Sequence, residues 1–218
     1  MKIVRLSQFS EKLARQVEKT YESSFPPSQR VEFSKLVSSI ASGERSAFVA
    51  QDADRVIGFA VTMPLARARI FFLEYIAVSA ESRSSGAGSV LLKHIADTLL
   101  SLESAEGLLL EVEPPEGPES DPSRRRVRFY LRNGASLIHD VLSFCMPDLS
   151  GSGSVPMRLM WLPLIPGKTI GNSSLRECVI SIYCDAYEVA VDHPLLQAAL
   201  KDLDSVKGAH EKSLDDCH

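Results

Sequence analysis

Between residues 70 and 112 the chain passes from an apolar run, Ile70 to Val78, through Gly86 and Gly88 into an amphipathic stretch, and then into a second apolar run, Leu108 to Val112. Leu91, Leu92, Ile95 and Leu99 recur at helical spacing, while Lys93 and Asp97 fall on the opposite face, so a helix starts at the glycines. Strand, glycine-bearing turn, helix and strand make a crossover unit, which is right-handed and lays its two strands parallel in one sheet. An α/β architecture follows. Glu74 alone interrupts the first strand with a charge.

The flanking sequence extends that sheet. Lys2 to Leu6 predicts a short strand, and Phe9, Leu13, Val17 and Tyr21 recur at i+4 as one face of a helix that Pro26 and Pro27 end. A second helix is expected from Arg30 to Ala41, broken by Gly43. Ala47 to Gln51 and Arg55 to Met63 read as a hairpin around Asp52-Ala53-Asp54. Beyond Val112, residues Glu113 to Asp121 hold Pro114, Pro115 and Pro118 among acids and form a surface loop. A helix then runs from Arg124 to Asn133, with Gly134 as its left-handed C-cap. Leu137 to Met146 and Pro156 to Ile165 are expected as two strands joined by a turn at Gly151 to Ser154. Leu175 to Val191 is expected as a further helix, Asp192 and Pro194 as the opening of a short final one, and the polar stretch beyond Lys207 as a frayed tail.

The chain has 218 residues, room for one full domain plus an extension or for two small ones, and at 44% hydrophobic and 24% charged its composition is globular rather than disordered. A net charge of −4 argues against gripping nucleic acid or anionic lipid through bulk charge and favours a cationic or neutral partner. No run approaches ~20 uninterrupted apolar residues and the N-terminal stretch is amphipathic, so neither a membrane span nor a signal peptide is expected and a cytoplasmic protein is. Cys145, Cys178, Cys184 and Cys217 form no CxxC pair, so no metal site is expected. Cys145, His139 and His193 read as structural.

A turn from strand into helix presents backbone N–H groups that lack internal partners, and the helix dipole adds partial positive charge. Gly86 and Gly88 let the main chain approach a phosphate, and Arg83 can add charge-assisted hydrogen bonds. A Walker A loop would need Lys followed by Ser or Thr after the last glycine, whereas Ser89-Val90 follows Gly88; a dinucleotide fingerprint would need glycine where Leu91 stands. On two glycines alone, a tightly packed turn is an equal reading.

The ordered set Leu73-x-x-Ile76-x-Val78, Arg83-x-x-Gly86-x-Gly88, Leu91-Leu92, a following strand, and Phe129-Tyr130-x-Arg132-x-Gly134 resembles the GNAT superfamily of acyl-coenzyme A-dependent N-acyltransferases. The resemblance covers Lys2 to Ile165. It implies a mixed sheet of about seven strands with helices on both faces, splayed between the strand ending at Val78 and the strand from Leu108. On that basis residues 1–165 are the acetyltransferase domain, 166–206 a C-terminal helical extension packed on it, and 207–218 a flexible tail.

The resemblance further implies acetyl-CoA as cosubstrate, its pantetheine along Ile76, Ala77 and Val78 and its pyrophosphate on Ser84, Ser85, Gly86, Ala87, Gly88 and Ser89, with Arg83 and Phe129 beside it. Ser84 stands where the family often has glycine, Ala80 where proline is frequent, and Ala135 where an aromatic commonly follows the helix-ending glycine. The strand at Leu108 lacks the asparagine many members carry and has Glu111 and Glu113, which become candidate substrate-binding residues.

Acyl transfer to an amine needs a neutral nucleophile, so a base must take a proton. Glu74, the lone acid in an apolar strand, is the expected base, and Tyr130 resembles the family's proton donor to the departing thiolate. The expected activity is N-acetylation of a small primary amine in a ternary complex. Acetylation of a protein N-terminus or lysine, and a non-catalytic acyl-CoA sensor, are the alternatives. Arg124, Arg125, Arg126 and Arg128 either neutralise the acidic loop, touch a coenzyme phosphate or form a solvated face. The apolar face of residues 175–191 either packs on its own sheet, covers the cleft, or joins a second subunit as a homodimer.

Overall fold

The computed structural model describes residues 1–65 and 69–215, with side chains described through Ser205. In chain order the elements are β1 (Lys2–Leu6), α1 (Glu11–Ser24), α2 (Phe33–Ser42), β2 (Ser46–Asp52), β3 (Arg55–Pro64), β4 (Ile70–Val78), α3 (Ala87–Glu103), β5 (Gly107–Val112) and α4 (Pro122–Arg132). Then come β6 (Ser136–Leu137), β7 (Cys145–Pro147), β8 (Ser154–Pro156), β9 (Arg158–Pro163), α5 (Asn172–Ser181) and α6 (Pro194–Asp215). A seven-stranded sheet runs in the order β1-β2-β3-β4-β5-β9-β6, and β7 pairs with β8 in a separate ribbon. Within the large sheet β4 and β5 are parallel and the other pairs antiparallel, giving the mixed sheet expected.

Three apolar clusters hold helices to this sheet. Val17, Tyr21, Leu36 and Ile40 of α1 and α2 pack on Val49, Phe59, Val61, Tyr75 and Ala77. The Tyr21 ring meets that of Tyr75 edge-on at 5.0 Å and its hydroxyl donates to Val31 O at 3.0 Å, which fixes the α1–α2 connection over β4. Leu91, Ile95 and Leu99 of α3 and Val127 of α4 pack on Leu108 and Leu110. Leu109, on the alternate side of β5, joins Phe72 and Trp161 beneath Leu175, Val179, Ile182, Leu196 and Leu200 of the C-terminal segment. The apolar face of α5 therefore packs on its own sheet.

Four expectations are corrected. Leu137 to Met146 is not one strand: the inward residues of its middle, Ile138, Val141 and Phe144, recur every third position, which defeats the two-residue alternation a strand needs. Pro156 to Ile165 divides at Met157, whose N–H donates to Phe144 O at 3.0 Å, so β8 turns back on β7 while β9 enters the large sheet. The helix expected over Leu175 to Val191 ends at Ser181, continues as a single π-helical turn over Ile182–Ala186, and leaves helical geometry, whereas α6 extends to Asp215 rather than being short. Cys217 lies outside the described residues.

Gly107 shows how tightly β5 and β9 are packed: a Cβ there would stand 2.0 Å from the Trp161 indole. Gly107→Ala must displace that ring, whose Nε1 donates to Lys168 O at 3.0 Å. Overpacking of this kind costs about 1–3 kcal/mol. A urea melt is expected to show the midpoint lowered at unchanged slope; an unchanged midpoint would contradict this packing.

Candidate active site

β4 and β5 are paired only from Ile70↔Gly107 to Leu73↔Leu110. β4 then continues to Val78 against β3, and β5 to Val112 against β9, with no pairing between them. The separation starts at a bulge: Val61 faces Tyr75 and Thr62 faces Leu73, leaving Glu74 as the extra residue. A bulge bends and over-twists its strand, which turns the end of β4 away from β5.

The free edge that results is chemically usable. The Ser79 N–H donates to Ile57 O, so residues 79 and 77 direct their main-chain groups toward β3. By antiparallel alternation, the N–H and C=O groups of Ile76 and Val78 face the gap. Gly58 closes the other side, since a Cβ there would lie 2.7 Å from Ala77 O.

A cavity of ≈ 780 Å³ fills the gap and runs on to the start of α3. Its α3 end is lined by Arg83, Ser84, Gly86, Ala87, Gly88 and Ser89. Ser84 takes φ +63 and Gly86 φ +83, so the serine where the family often has glycine adopts the left-handed backbone that glycine favours. The N–H groups of Ser84, Gly86 and Gly88 meet no acceptor among the described residues. A Cβ on Gly88 would come within 3.3 Å of the Phe129 ring, so glycine lets α4 close over the turn. Ser85 does not line the cavity; its hydroxyl donates to Ser82 O at 2.7 Å and accepts from the Ala87 N–H.

The acids sit at the opposite end. Arg45 donates from Nε to Glu74 Oε2 at 2.7 Å and from Nη2 to Oε1 at 3.4 Å, with side chains 7% and 6% exposed. Desolvation pushes the Glu74 carboxyl above its ordinary range and the guanidinium opposes that push. The Tyr187 hydroxyl donates to Glu111 Oε2. Burial pushes the Glu111 carboxyl up to about 7, against the lowering effect of that hydrogen bond. Glu113 accepts from Gln29 at 2.9 Å and from Arg126 at 2.9 Å.

Tyr130 is buried, lines the cavity, and its hydroxyl makes no hydrogen bond among the described residues. Burial raises its pKa, which keeps the phenol protonated. Along α4, Arg124 and Arg128 pair with Glu119 and Arg126 with Glu113, while Arg125 and Arg132 line the cavity without an ion pair among the described residues. Those residues therefore divide between neutralising the acidic loop and facing the cavity.

Residues 43–134 match the sequence model of the acetyltransferase (GNAT) domain. The chain carries a GNAT acetyltransferase domain over those residues. Among solved structures, a GNAT-family protein from Bacteroides thetaiotaomicron is similar at 22% identity and a TM-score of 0.70, over 87% of this chain and 100% of that one. An aminoglycoside 6′-N-acetyltransferase complexed with coenzyme A is similar at 17% identity and 0.60, over 78% and 100%. A spermidine N-acetyltransferase chimera built from the Vibrio cholerae enzyme is similar at 13% and 0.57, over 75% and 97%. No curated protein sequence matches. Among the described residues, no helix is long and apolar enough to cross a membrane.

Sequence reasoning missed Arg45, the partner of Glu74, and Tyr187, the partner of Glu111. Arg45 lies between Glu44 and Ser46 at the start of β2, where nothing local marks a buried charge. Tyr187 follows Tyr183 by four residues, a spacing that reads as ordinary helix packing.

Between about pH 4.5 and 7 the folded protein holds a proton on Glu111 that the unfolded chain has lost, so stability falls as pH rises through that window. Glu111→Gln removes the effect. Relative to wild type it is expected to gain on the order of 2 kcal/mol between pH 5 and pH 8 in denaturant melts; a pH-independent difference would contradict the buried carboxyl.

Proposed function

We propose that this GNAT protein is an N-acetyltransferase that moves the acetyl group of acetyl-CoA to a primary amine of a small molecule within a ternary complex. The polarity of this cavity carries this reading. Unpaired guanidinium groups and free N–H groups line the α3 end, and carboxylates line the other, so an anionic nucleotide tail and a cationic amine are each accommodated where the charges favour them.

The residues fit the cosubstrate. The free edge at Ile76 and Val78 suits an amide-bearing arm, and the turn from Ser84 to Ser89 with Arg83 suits a diphosphate. Arg125 and Phe129 lie alongside. When bound, acetyl-CoA supplies an activated acyl carbonyl and a thiolate leaving group. The Val78 N–H, directed into the gap, is the candidate donor to developing negative charge on the acyl oxygen. Tyr130, held protonated by its surroundings, is the candidate proton donor to the leaving sulfur.

Ser23 and Ser24 at the end of α1, Phe25 and Gln29 from the α1–α2 connection, and Met146 and Met157 also line the cavity. Two of the similar structures are named for amine substrates, an aminoglycoside and spermidine, which accords with this reading.

Purified protein is expected to bind coenzyme A by calorimetry and to release free thiol from acetyl-CoA when offered a panel of small amines. Binding without thiol release would favour the non-catalytic sensor. Tyr130→Phe is expected to lower kcat by about 10- to 100-fold while leaving coenzyme affinity within about twofold; unchanged kcat would remove Tyr130 as the acid. Gly86→Ala, forced into left-handed backbone at a cost of about 1–2 kcal/mol, is expected to weaken coenzyme binding, and undiminished affinity would count against a diphosphate at this turn.

A further inference from the structure

We infer that the C-terminal segment supports the acceptor end of the cavity from outside its lining: Tyr187 is a positioning residue that holds the Glu111 carboxylate, and Glu111 accepts the proton shed by the incoming ammonium group. The inference rests on the acetyl-transfer reading above and assigns the base within it.

Glu74, Glu111 and Glu113 are the acids that line the cavity among the described residues, and their oxygens are not equally available. Both oxygens of Glu74 are engaged by Arg45. Both oxygens of Glu113 are engaged, one by Gln29 and one by Arg126. Glu111 uses only Oε2, on Tyr187, and its Oε1 has no partner among the described residues. That oxygen is not sealed among buried unsatisfied atoms either. It is the carboxylate oxygen left to receive a proton from the cavity. The step balances simply: one N–H bond of the ammonium breaks, one O–H bond forms at Oε1, the nitrogen keeps its electron pair for attack, and Glu111 later returns the proton to solvent.

Tyr187 is held firmly enough to orient its partner. It leaves the chain at the end of the π-helical turn Ile182–Ala186, a local irregularity that re-aims the residues after it. Its ring meets Tyr183 edge-on at 5.4 Å, and Tyr183 is fixed in turn by its hydroxyl, which donates to Cys145 O at 2.6 Å and accepts from the Cys145 N–H at 3.3 Å. Phe144 also packs edge-on against Tyr183, at 5.4 Å. All of these residues lie beyond the stretch 43–134 that matches the GNAT domain, so an element outside the shared domain holds a carboxyl that lines the cavity.

The titratable groups that act on Glu111 are Tyr187 from the C-terminal segment and Glu74 from β4, and Glu111 in turn raises Tyr183 and, on α4, Tyr130. The nearby cations are committed elsewhere, Arg45 to Glu74 and Arg126 to Glu113. Glu74 raises the Glu111 carboxyl and the Tyr187 hydroxyl lowers it, so Tyr187→Phe must move its midpoint upward.

The test combines a carboxyl titration with kinetics on the full chain. With ¹³C-carboxyl-labelled glutamate, and Glu111→Gln to assign the signal, the Glu111 midpoint is expected near 7 and at higher pH in Tyr187→Phe. With an accepted amine, Glu111→Gln is expected to lower kcat/KM by about 100-fold or more at unchanged coenzyme A affinity. Tyr187→Phe should shift the acid limb of the kcat/KM profile to higher pH, a change that mere loss of packing would not produce. A Glu111→Gln enzyme within about threefold of wild type overturns the assignment of the base, and a midpoint that Tyr187→Phe leaves in place overturns the positioning role. Wild-type protein that binds coenzyme A yet acetylates no amine removes the acetyl-transfer reading instead, and the base with it; there the carboxyl titration still decides whether Tyr187 holds Glu111.

Discussion

Parallel strands that begin in register stay paired unless one of them is bent out of the sheet, and here the bend comes from a single inserted residue. Glu74 is the extra residue of a bulge between β3 and β4, and pairing of β4 with β5 stops at Leu73. The main-chain groups of Ile76 and Val78 would otherwise be spent on β5, and instead they line a gap. The bulge also directs an acid into a buried position, which is stable only because Arg45 meets it with two hydrogen bonds. Removing either partner would strand a buried charge, so the pair is both a cost of opening the sheet and what keeps the opening in place.

Around that gap the chain has sorted its charges. The arginines of α4 are shared between the loop acids and the cavity: Arg124, Arg126 and Arg128 are satisfied by Glu119 and Glu113, which leaves Arg125 and Arg132 facing inward. At the other end Gln29 and Arg126 occupy Glu113, Arg45 occupies Glu74, and Glu111 keeps one oxygen open. On the proposed reading, a cavity with cations at one end and a single half-engaged carboxyl at the other suits two ligands of opposite charge, held with their reacting ends together.

Most of the fold was legible because its elements carry strong periodicity. The α3 stripe, the glycine turn, the hairpin around Ala53 and the helix stops at Gly43 and Gly134 are local signals, and each formed as local chemistry dictates. The region from 137 to 163 was not legible in the same way, because Ile138, Val141 and Phe144 are buried from irregular backbone through tertiary packing, and no window of sequence encodes the partner they pack on. The cavity lining near α3 and along β4 followed from the motif order, whereas the pairings that decide its acid chemistry join residues far apart in sequence: Arg45 with Glu74, and Tyr187 with Glu111 across 76 residues. Glu74 shows the limit most clearly. Its isolation in an apolar strand marks it as unusual, but only the fold reveals that a guanidinium holds both of its oxygens.

A crystal structure with coenzyme A bound tests the open sheet most directly. The pantetheine arm is expected between β4 and β5, hydrogen-bonded to the main chain at Ile76 and Val78, with the pyrophosphate on the turn from Ser84 to Ser89 and the sulfur beside Tyr130. Ligand bound elsewhere, or β4 and β5 found paired through Val78 and Val112, would contradict it.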